Sequence, residues 1–539
     1  MQRDDRVIDY VMPVAIKSVA GGVGGVQSLL KQKLPQIGLS EPDCAVIEGA
    51  GHIILDFGRE LSGGVRILTH RAEGNTRVRI RFGESLSEAC SDIKGRAAGA
   101  TATNNHSLRD FEAELVFMSD MRFGQTGFRF VRLDFFEGCQ VTVKSIYAAF
   151  EHRCLNRLGR FSCSDPVIND IFETAAYTVE LCMQNMLWDG IKRDRLVWIG
   201  DTHPEMLSIV SLFGEDKCIE QALAFARNEA PLPAFMNTIP SYSLWWLVII
   251  ADYFTQNNNI GFLYAERAYI KSLVSLIDSL IDRDGNLNFP GYFLDWPTAD
   301  ADTEGRAGTY ALCAYAIEKT KIIYGALNED GAVLDGILGR IDRSLKGGTY
   351  KQVAAMRVLA GFDSPGEALE NQLRGGAKGM STFMSYYILS SIAMAGRTEA
   401  ALGIMREYYN GMLQRGATTF WEDFDVAWLE NSGRIDRLPQ ENEKDIHGDF
   451  GAHCYKGFRH SLCHGWASGP VPFLMHHILG IKVCEAGCRK VAIKPNLGGL
   501  SWASGAYPTP YGNIEVNVKD ENGKTRVEMR VPQEIEIVP

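Results

Sequence analysis

The hydrophobic period changes twice along this 539-residue chain, and no other feature limits its fold as strongly. Up to about residue 155 apolar residues alternate: Val78, Ile80 and Phe82 share one face of RVRIRFGESL, and FRFVRLDFF and VTVKSIYAAF continue the pattern. This predicts a β-sandwich over 1–155. Two segments read as loops, the glycine-rich AGGVGGV at 20–26 and the small-residue run 87–107. At FSCSDPVINDIFETAAYTVEL the period becomes helical. Ser164 or Asp165 can cap, Pro166 suits the first turn, and Ile168, Ile171, Phe172, Ala175 and Val179 recur at helical spacing. Helical patterns recur at 261–282, 309–325, 349–360, 381–395 and 398–413. Roughly 325 residues at about 25 per helix and loop make about a dozen helices. As six hairpins they form an (α/α)6 barrel, with other helical arrays open at this point. Alternation then returns: Ile514, Val516 and Val518 precede Asn522-Gly523, and Val527, Met529 and Val531 follow it, which is a hairpin signal. The expected domains are 1–155, 156–482 and 483–539, in the order β, α, β.

A formal net charge of −11, with no basic run of five, argues against a nucleic-acid or anionic-membrane partner. The longest apolar stretches, such as LWWLVIIA at 244–251, are too short to insert in a bilayer. The start MQRDDRVIDY lacks the apolar segment of a secretory signal, which leaves the cytoplasm, or the periplasm after trimming. Twelve scattered cysteines, with Cys484-x3-Cys488 the tightest pair, read as buried free thiols rather than a zinc site.

Chemistry concentrates in the helical segment. LWDGIKRDRLVWIGD at 187–201 packs Asp189, Arg193 and Asp194 between Trp188 and Trp198, with Asp201 just beyond, and Asp295-Trp296 and Trp421-Glu422 repeat the acid–indole pairing. Indole faces stack on sugar rings while carboxylates hold hydroxyls or move protons. The run 445–464 gathers four histidines, and one acting on a substrate suits it better than a metal site. Thr202-x-x-Glu205 reads as a capping box opening an amphipathic helix, with Asp201 at the same helix mouth. A serine-hydrolase elbow, a zinc-protease helix motif and a phosphate loop are all absent from the sequence.

These residues resemble the α-L-rhamnosidases of glycoside hydrolase family 78. The family signature D-x-x-x-R-D-E-R-L-x-W-x-G-D is similar to Asp189, Arg193, Asp194, Arg195, Leu196, Trp198, Gly200 and Asp201 here. GATTFWEDFD at 416–425 and SLCHGWASG at 461–469 resemble two later segments, the second placing His464 on the family's sugar-binding histidine. ILDFGRELSGGVRI at 54–67 and SWASGAYPTPYGNIEV at 501–516 are similar to the flanking sandwiches. The resemblance implies an (α/α)6 barrel between β-sandwiches, an oligosaccharide or polysaccharide substrate, and inverting hydrolysis by two carboxylates without a cofactor.

It also implies that Glu422 is the base. The family's acid is the Glu of R-D-E-R, and this chain reads R-D-R, one residue shorter. Placing the gap earlier puts Asp194 at the acid's position and Arg193 where the family has Asp. Placing it later leaves Asp189 or Glu205 to substitute. The catalytic pair expected is Asp194 and Glu422, with Asp189, Arg193, Trp198, Asp201, Asp295, Trp296, Trp421 and His464 binding sugar. Two alternatives stay open: a carbohydrate-binding protein that lost its acid, and a polysaccharide lyase on a similar barrel.

Overall fold

The computed structural model describes residues 4–92, 108–347, 349–453 and 456–539. Seven strands form the N-terminal unit: β1 (Arg6–Val11), β2 (Ala15–Gly24), β3 (Ala45–Gly74), β4 (Arg77–Gly83), β5 (Asp110–Glu114), β6 (Ser119–Phe135) and β7 (Cys139–Arg153). They pair antiparallel in the order β1-β7-β3-β6-β4-β5, with β2 on β3. A register shift between Asp56 and Leu61 interrupts the pairing of β3 with β6, and both the first residues of β3 (45–48) and its second half (63–74) pair with β7. The alternating residues Val78, Ile80 and Phe82 lie in the core between these limbs, against Phe128 and Val131.

Two loop expectations are corrected here. AGGVGGV is mostly strand: β2 runs to Gly24 because glycine backbone can lie against β3, where a Cβ on Gly22 would strike the Glu48 carbonyl. The run 87–107 begins as helix α1 (Leu86–Cys90), capped by the Ser85 side chain, and its residues 93–107 lie outside the described residues.

The helical unit follows as α2 (Pro166–Cys182), α3 (Ile199–Phe213), α4 (Lys217–Glu229), α5 (Pro240–Asn257), α6 (Ile260–Leu280), the short α7 (Trp296–Ala299), α8 (Asp302–Leu327), α9 (Ala332–Arg340), α10 (Lys351–Leu359), α11 (Pro365–Leu373), α12 (Ser385–Met394), α13 (Thr398–Gln414) and α14 (Pro470–Phe473). Helices α3, α5, α8, α10, α12 and α14 each pack on the next, and α14 closes onto α3. This ring is the inside of an (α/α)6 barrel. All fifteen residues of α3 are buried, whereas α4 and α13 bury one face each. At α2 the sequence signals hold: Asp165 accepts from the Val167 and Ile168 amides, and Pro166 occupies the first turn.

The C-terminal unit has two small sheets. One orders β13 (Lys524–Arg530), β12 (Gly512–Glu521), β11 (Trp502–Thr509) and β8 (Arg160–Cys163), so a strand preceding the barrel completes the C-terminal sheet. The other joins β14 (Glu536–Val538), β10 (Lys490–Ile493) and β9 (Ile481–Glu485). Asn522 and Gly523, at φ 55° and 80°, turn β12 into β13. The thiols are not uniformly buried: Cys154, just past the end of β7, and Cys484 on β9 are exposed. Among the described residues no helix is long and apolar enough to cross a membrane.

Candidate active site

Because inner and outer helices alternate along the chain, the six inner helices run parallel and present their N-termini at one end of the barrel. The candidate segments cluster on the stretches that lead into inner helices: 187–198 before α3, Asp295-Trp296 before α8, Ser381 before α12, and 420–425 with 457–465 on the long connection to α14. That end carries the positive poles of six helix dipoles, a setting that favours carboxylates.

One guanidinium organises the centre. Arg193 Nη2 donates to both carboxylate oxygens of Glu422, Nη1 lies 3.0 Å from Asp194 Oδ1, and Nε donates to the Arg459 carbonyl at 2.7 Å. Glu422 also accepts from the Ser461 amide at 3.1 Å, and its own amide donates to the Ser461 carbonyl at 2.9 Å. Burial raises the Glu422 carboxyl, but the charges of Arg193 and His464 outweigh it and hold it below its ordinary value. Glu422 is therefore ionised at neutral pH. Asp194 keeps 8% of its side chain exposed and stands in the left-handed region at φ 54°, followed by Arg195 at φ 52°. Aspartate tolerates that conformation better than arginine does. Arg195 is held in it by the Gln125 carbonyl at 3.1 Å and by the Trp188 ring at 5.6 Å.

His464 Nε2 lies 2.9 Å from Asp201 Oδ1. Burial works against a charge on this imidazole, yet the Glu422 and Asp201 carboxylates raise its pKa to about 9. Asp189 lies beside it through a Gly190–His464 bridge and a Gly465 amide that donates to the Asp189 carbonyl at 2.7 Å. The Asp189 carboxyl accepts from the Leu196 amide at 2.9 Å, and burial pushes it well above the usual carboxylate range. Asp189, Arg193, Asp194, Asp201, Glu422 and His464 thus form one cluster.

The other candidates stand apart from it. Asp295 caps α7, accepts from Ser381 Oγ, and is lifted to about 6 by burial. Trp296 is half-buried and stacks on His453 at 5.6 Å, lining an open cleft of about 640 Å³. Trp198 is half-buried with its edge on Tyr242 at 6.2 Å. Trp421 is fully buried against Phe424 and His460, with no face open to a sugar. The capping box is corrected. Helix α3 starts at Ile199, whose amide donates to Asn237 Oδ1 of a neighbouring loop, so a tertiary cap replaces Thr202 and leaves Glu205 inside the helix. Glu205 is buried with Oε1 unpartnered, facing Gly465 and raised well above its ordinary value by burial.

Three functional groups escaped the sequence reading. Asp423 lines the cleft next to Glu422; burial, then the nearby Asp295 charge, lifts its carboxyl to about 7. Its signal was present in WEDFD. His460 accepts from the Asp423 amide at 2.9 Å through Nε2, and burial keeps it neutral. Glu84 of the N-terminal unit accepts from the Leu462 amide at 2.6 Å and lies 3.2 Å from Lys192 Nζ, tying together the 187–201 and 461–464 segments. Sequence separation hides that link. Glu84, Glu88 and His447 could in principle ligate a metal, but the Lys192 ammonium stands 2.9 Å from Glu88 and 3.3 Å from His447, where a cation would sit.

Three domain families match the chain: the bacterial α-L-rhamnosidase concanavalin-like domain over 48–150, the six-hairpin glycosidase domain over 156–265, and the C-terminal domain over 480–538. An α-L-rhamnosidase of Alteromonas sp. (strain LOR) is 24% identical over 90% of this chain and 56% of its own length. One of Formosa agariphila is 21% identical over 94% of this chain and 57% of its own. The chain therefore spans a little over half the length of these curated relatives. A GH78 rhamnosidase structure from Bacillus sp. GL1 superposes with TM-score 0.75 at 23% identity, over 95% of this chain and 55% of that one. A rhamnose-bound rhamnosidase from Klebsiella oxytoca gives 0.70 at 18% identity, over 88% of this chain and 96% of that one.

Proposed function

We propose, from a chain that is α-L-rhamnosidase-like in all three of its domains, that it is an inverting glycoside hydrolase removing terminal α-L-rhamnose, or a closely similar sugar, from glycans. The observation that carries this reading is Arg193, a planar delocalised cation held between the Asp194 and Glu422 carboxylates. The transition state of glycoside hydrolysis is likewise flat and cationic at the anomeric carbon, and it too is flanked by two carboxyl groups. A site that stabilises one stabilises the other.

In the reaction the anomeric C–O bond breaks as water attacks from the opposite face. Asp194, protonated from solvent once Arg193 has withdrawn from it, gives that proton to the leaving oxygen, and Glu422 takes a proton from the water. Glu422 meets the demand on a base, because it is already ionised and is oriented by the Ser461 amide. Charged His464 offers a donor to sugar hydroxyls, and the Asp201 and Asp189 carboxyls, both raised by burial, offer acceptors beside it. Arg193 has to leave Glu422 for water to be activated, so substrate and guanidinium compete for one carboxylate.

A second reading, sugar binding without turnover, is favoured by the third tie of Arg193, to the Arg459 carbonyl, which resists that withdrawal. Assay of the purified chain on an aryl α-L-rhamnoside and a panel of rhamnose-bearing glycans, with calorimetry on the same samples, separates the two. Released rhamnose supports hydrolysis; binding without release supports the second reading; neither, from folded protein, removes both.

A further inference from the structure

The open cleft lined by Trp296 and Asp423 carries a charge pattern that a neutral sugar does not require. Its lining includes two indoles, Trp296 and Trp428. It also includes Lys351, Arg374 and Lys378, in a protein whose net charge is −11. Lys378 is exposed and has no acidic partner among the described residues. Arg374 reaches only Glu370, at 3.6 Å, with both side chains mostly in solvent, where such pairs hold weakly. Lys351 is buried, and its Nζ donates to the Gly376 carbonyl. The two acids on the lining do not balance these three cations: Asp425, which caps the turn at Val426–Leu429 by accepting from the Ala427 amide at 2.8 Å, supplies one negative charge, and Asp423 is lifted to about 7 by burial and the nearby Asp295. At about 640 Å³ the cleft falls within the range of small-molecule sites, and Asp423, the residue that follows Glu422 in the chain, lines it.

We propose that this cleft is a subsite for an acidic sugar unit adjoining the terminal sugar, stacking the ring on Trp296 and Trp428 and holding its anionic group between Arg374 and Lys378. The anionic group is a uronate carboxylate; a sulfate ester offers the same charge on a different geometry. Arg binds an oxyanion through two parallel N–H bonds and the neighbouring lysine adds a point charge, a pair that holds either group, so the sulfated sugar is an arm of the test. This assignment rests on the glycan-acting reading above but not on turnover.

The test is calorimetry of the intact chain with an α-L-rhamnosyl-glucuronate disaccharide, its carboxyl-reduced counterpart and a rhamnosyl disaccharide carrying a sulfate in place of the carboxylate. The uronate should bind at least about tenfold more tightly than the reduced sugar, as one charge-assisted contact provides, and the preference should shrink with salt. Arg374→Gln with Lys378→Gln, both on the surface and therefore tolerant of change, should bring the two affinities together. Equal affinities for acid and reduced sugars, binding of neither, or a preference that survives the double substitution would overturn the subsite. A stronger hold on the sulfated sugar would overturn its assignment to uronate. A parallel assay on aryl α-L-rhamnoside, which has no acidic unit, reports separately on the hydrolase reading, so the two can fail independently.

Discussion

Replacing Arg193 with Met keeps most of the stem volume and removes the cation between Asp194 and Glu422. Glu422 is then left 4% exposed, with the Ser461 amide and the His464 charge as its remaining support. Removing one partner of a buried ion pair costs about 3–5 kcal/mol, because the other charge stays behind unpaired. Unfolding entropy of about 2.1 cal/mol/K per residue over roughly 320 barrel residues converts that to a fall in Tm of about 5 °C. Arg193 is the largest of the influences holding Glu422 below its ordinary value, so its loss should move the acid limb of the pH profile upward. Differential scanning calorimetry reads the first effect, and kcat/KM against pH on an aryl α-L-rhamnoside reads the second. A Tm within a degree of the parent, together with an unmoved acid limb, refutes the pairing from which the function is argued.

Glu422→Gln should abolish release from activated and natural substrates alike, since water must be activated in both. Asp194→Asn should hurt substrates with poor leaving groups most; equal losses on both kinds, compared by kcat/KM, remove Asp194 as the acid. His464 should make stability fall as pH rises from about 6.5 through about 9, because its folded pKa is raised above the unfolded value of 6.5. That contribution, about 3 kcal/mol below pH 6.5, should vanish in His464→Asn, and an identical Tm-versus-pH slope in the variant counts against it. Gly465→Ala drives a methyl group into Glu205 Oε1 and should destabilise the chain, while Glu205→Ala in the same chain should recover part of the loss; additive effects in thermal unfolding would contradict the clash.

The order β, α, β was legible because core faces impose their period on the sequence wherever an element is amphipathic. Asp165-Pro166 and Asn522-Gly523 marked their boundaries because cap and turn chemistry is local. Where the deciding partner is distant, local reading failed. Ile199 is capped from Asn237, not by Thr202, and the glycines at 21–24 are strand because β3 lies against them. In the candidate site the sequence marked Arg193, Asp194 and Glu422 but not that one guanidinium joins them, a relation between residues 229 apart. Trp421 followed the acid–indole pattern yet packs in the core, since large indoles fill cores as readily as they stack on sugars. Asp423 was overlooked because only the neighbouring Glu422 carried the resemblance, although it is Asp423 that faces the open cleft.

The most direct test of inverting hydrolysis is proton NMR of the sugar released in the first minutes from an aryl α-L-rhamnoside, before the two anomers interconvert. Attack by water activated at Glu422, opposite to the bond broken, gives β-L-rhamnose first, with the α anomer appearing later by mutarotation. Release of α-L-rhamnose first, or no release from folded protein, would contradict the account.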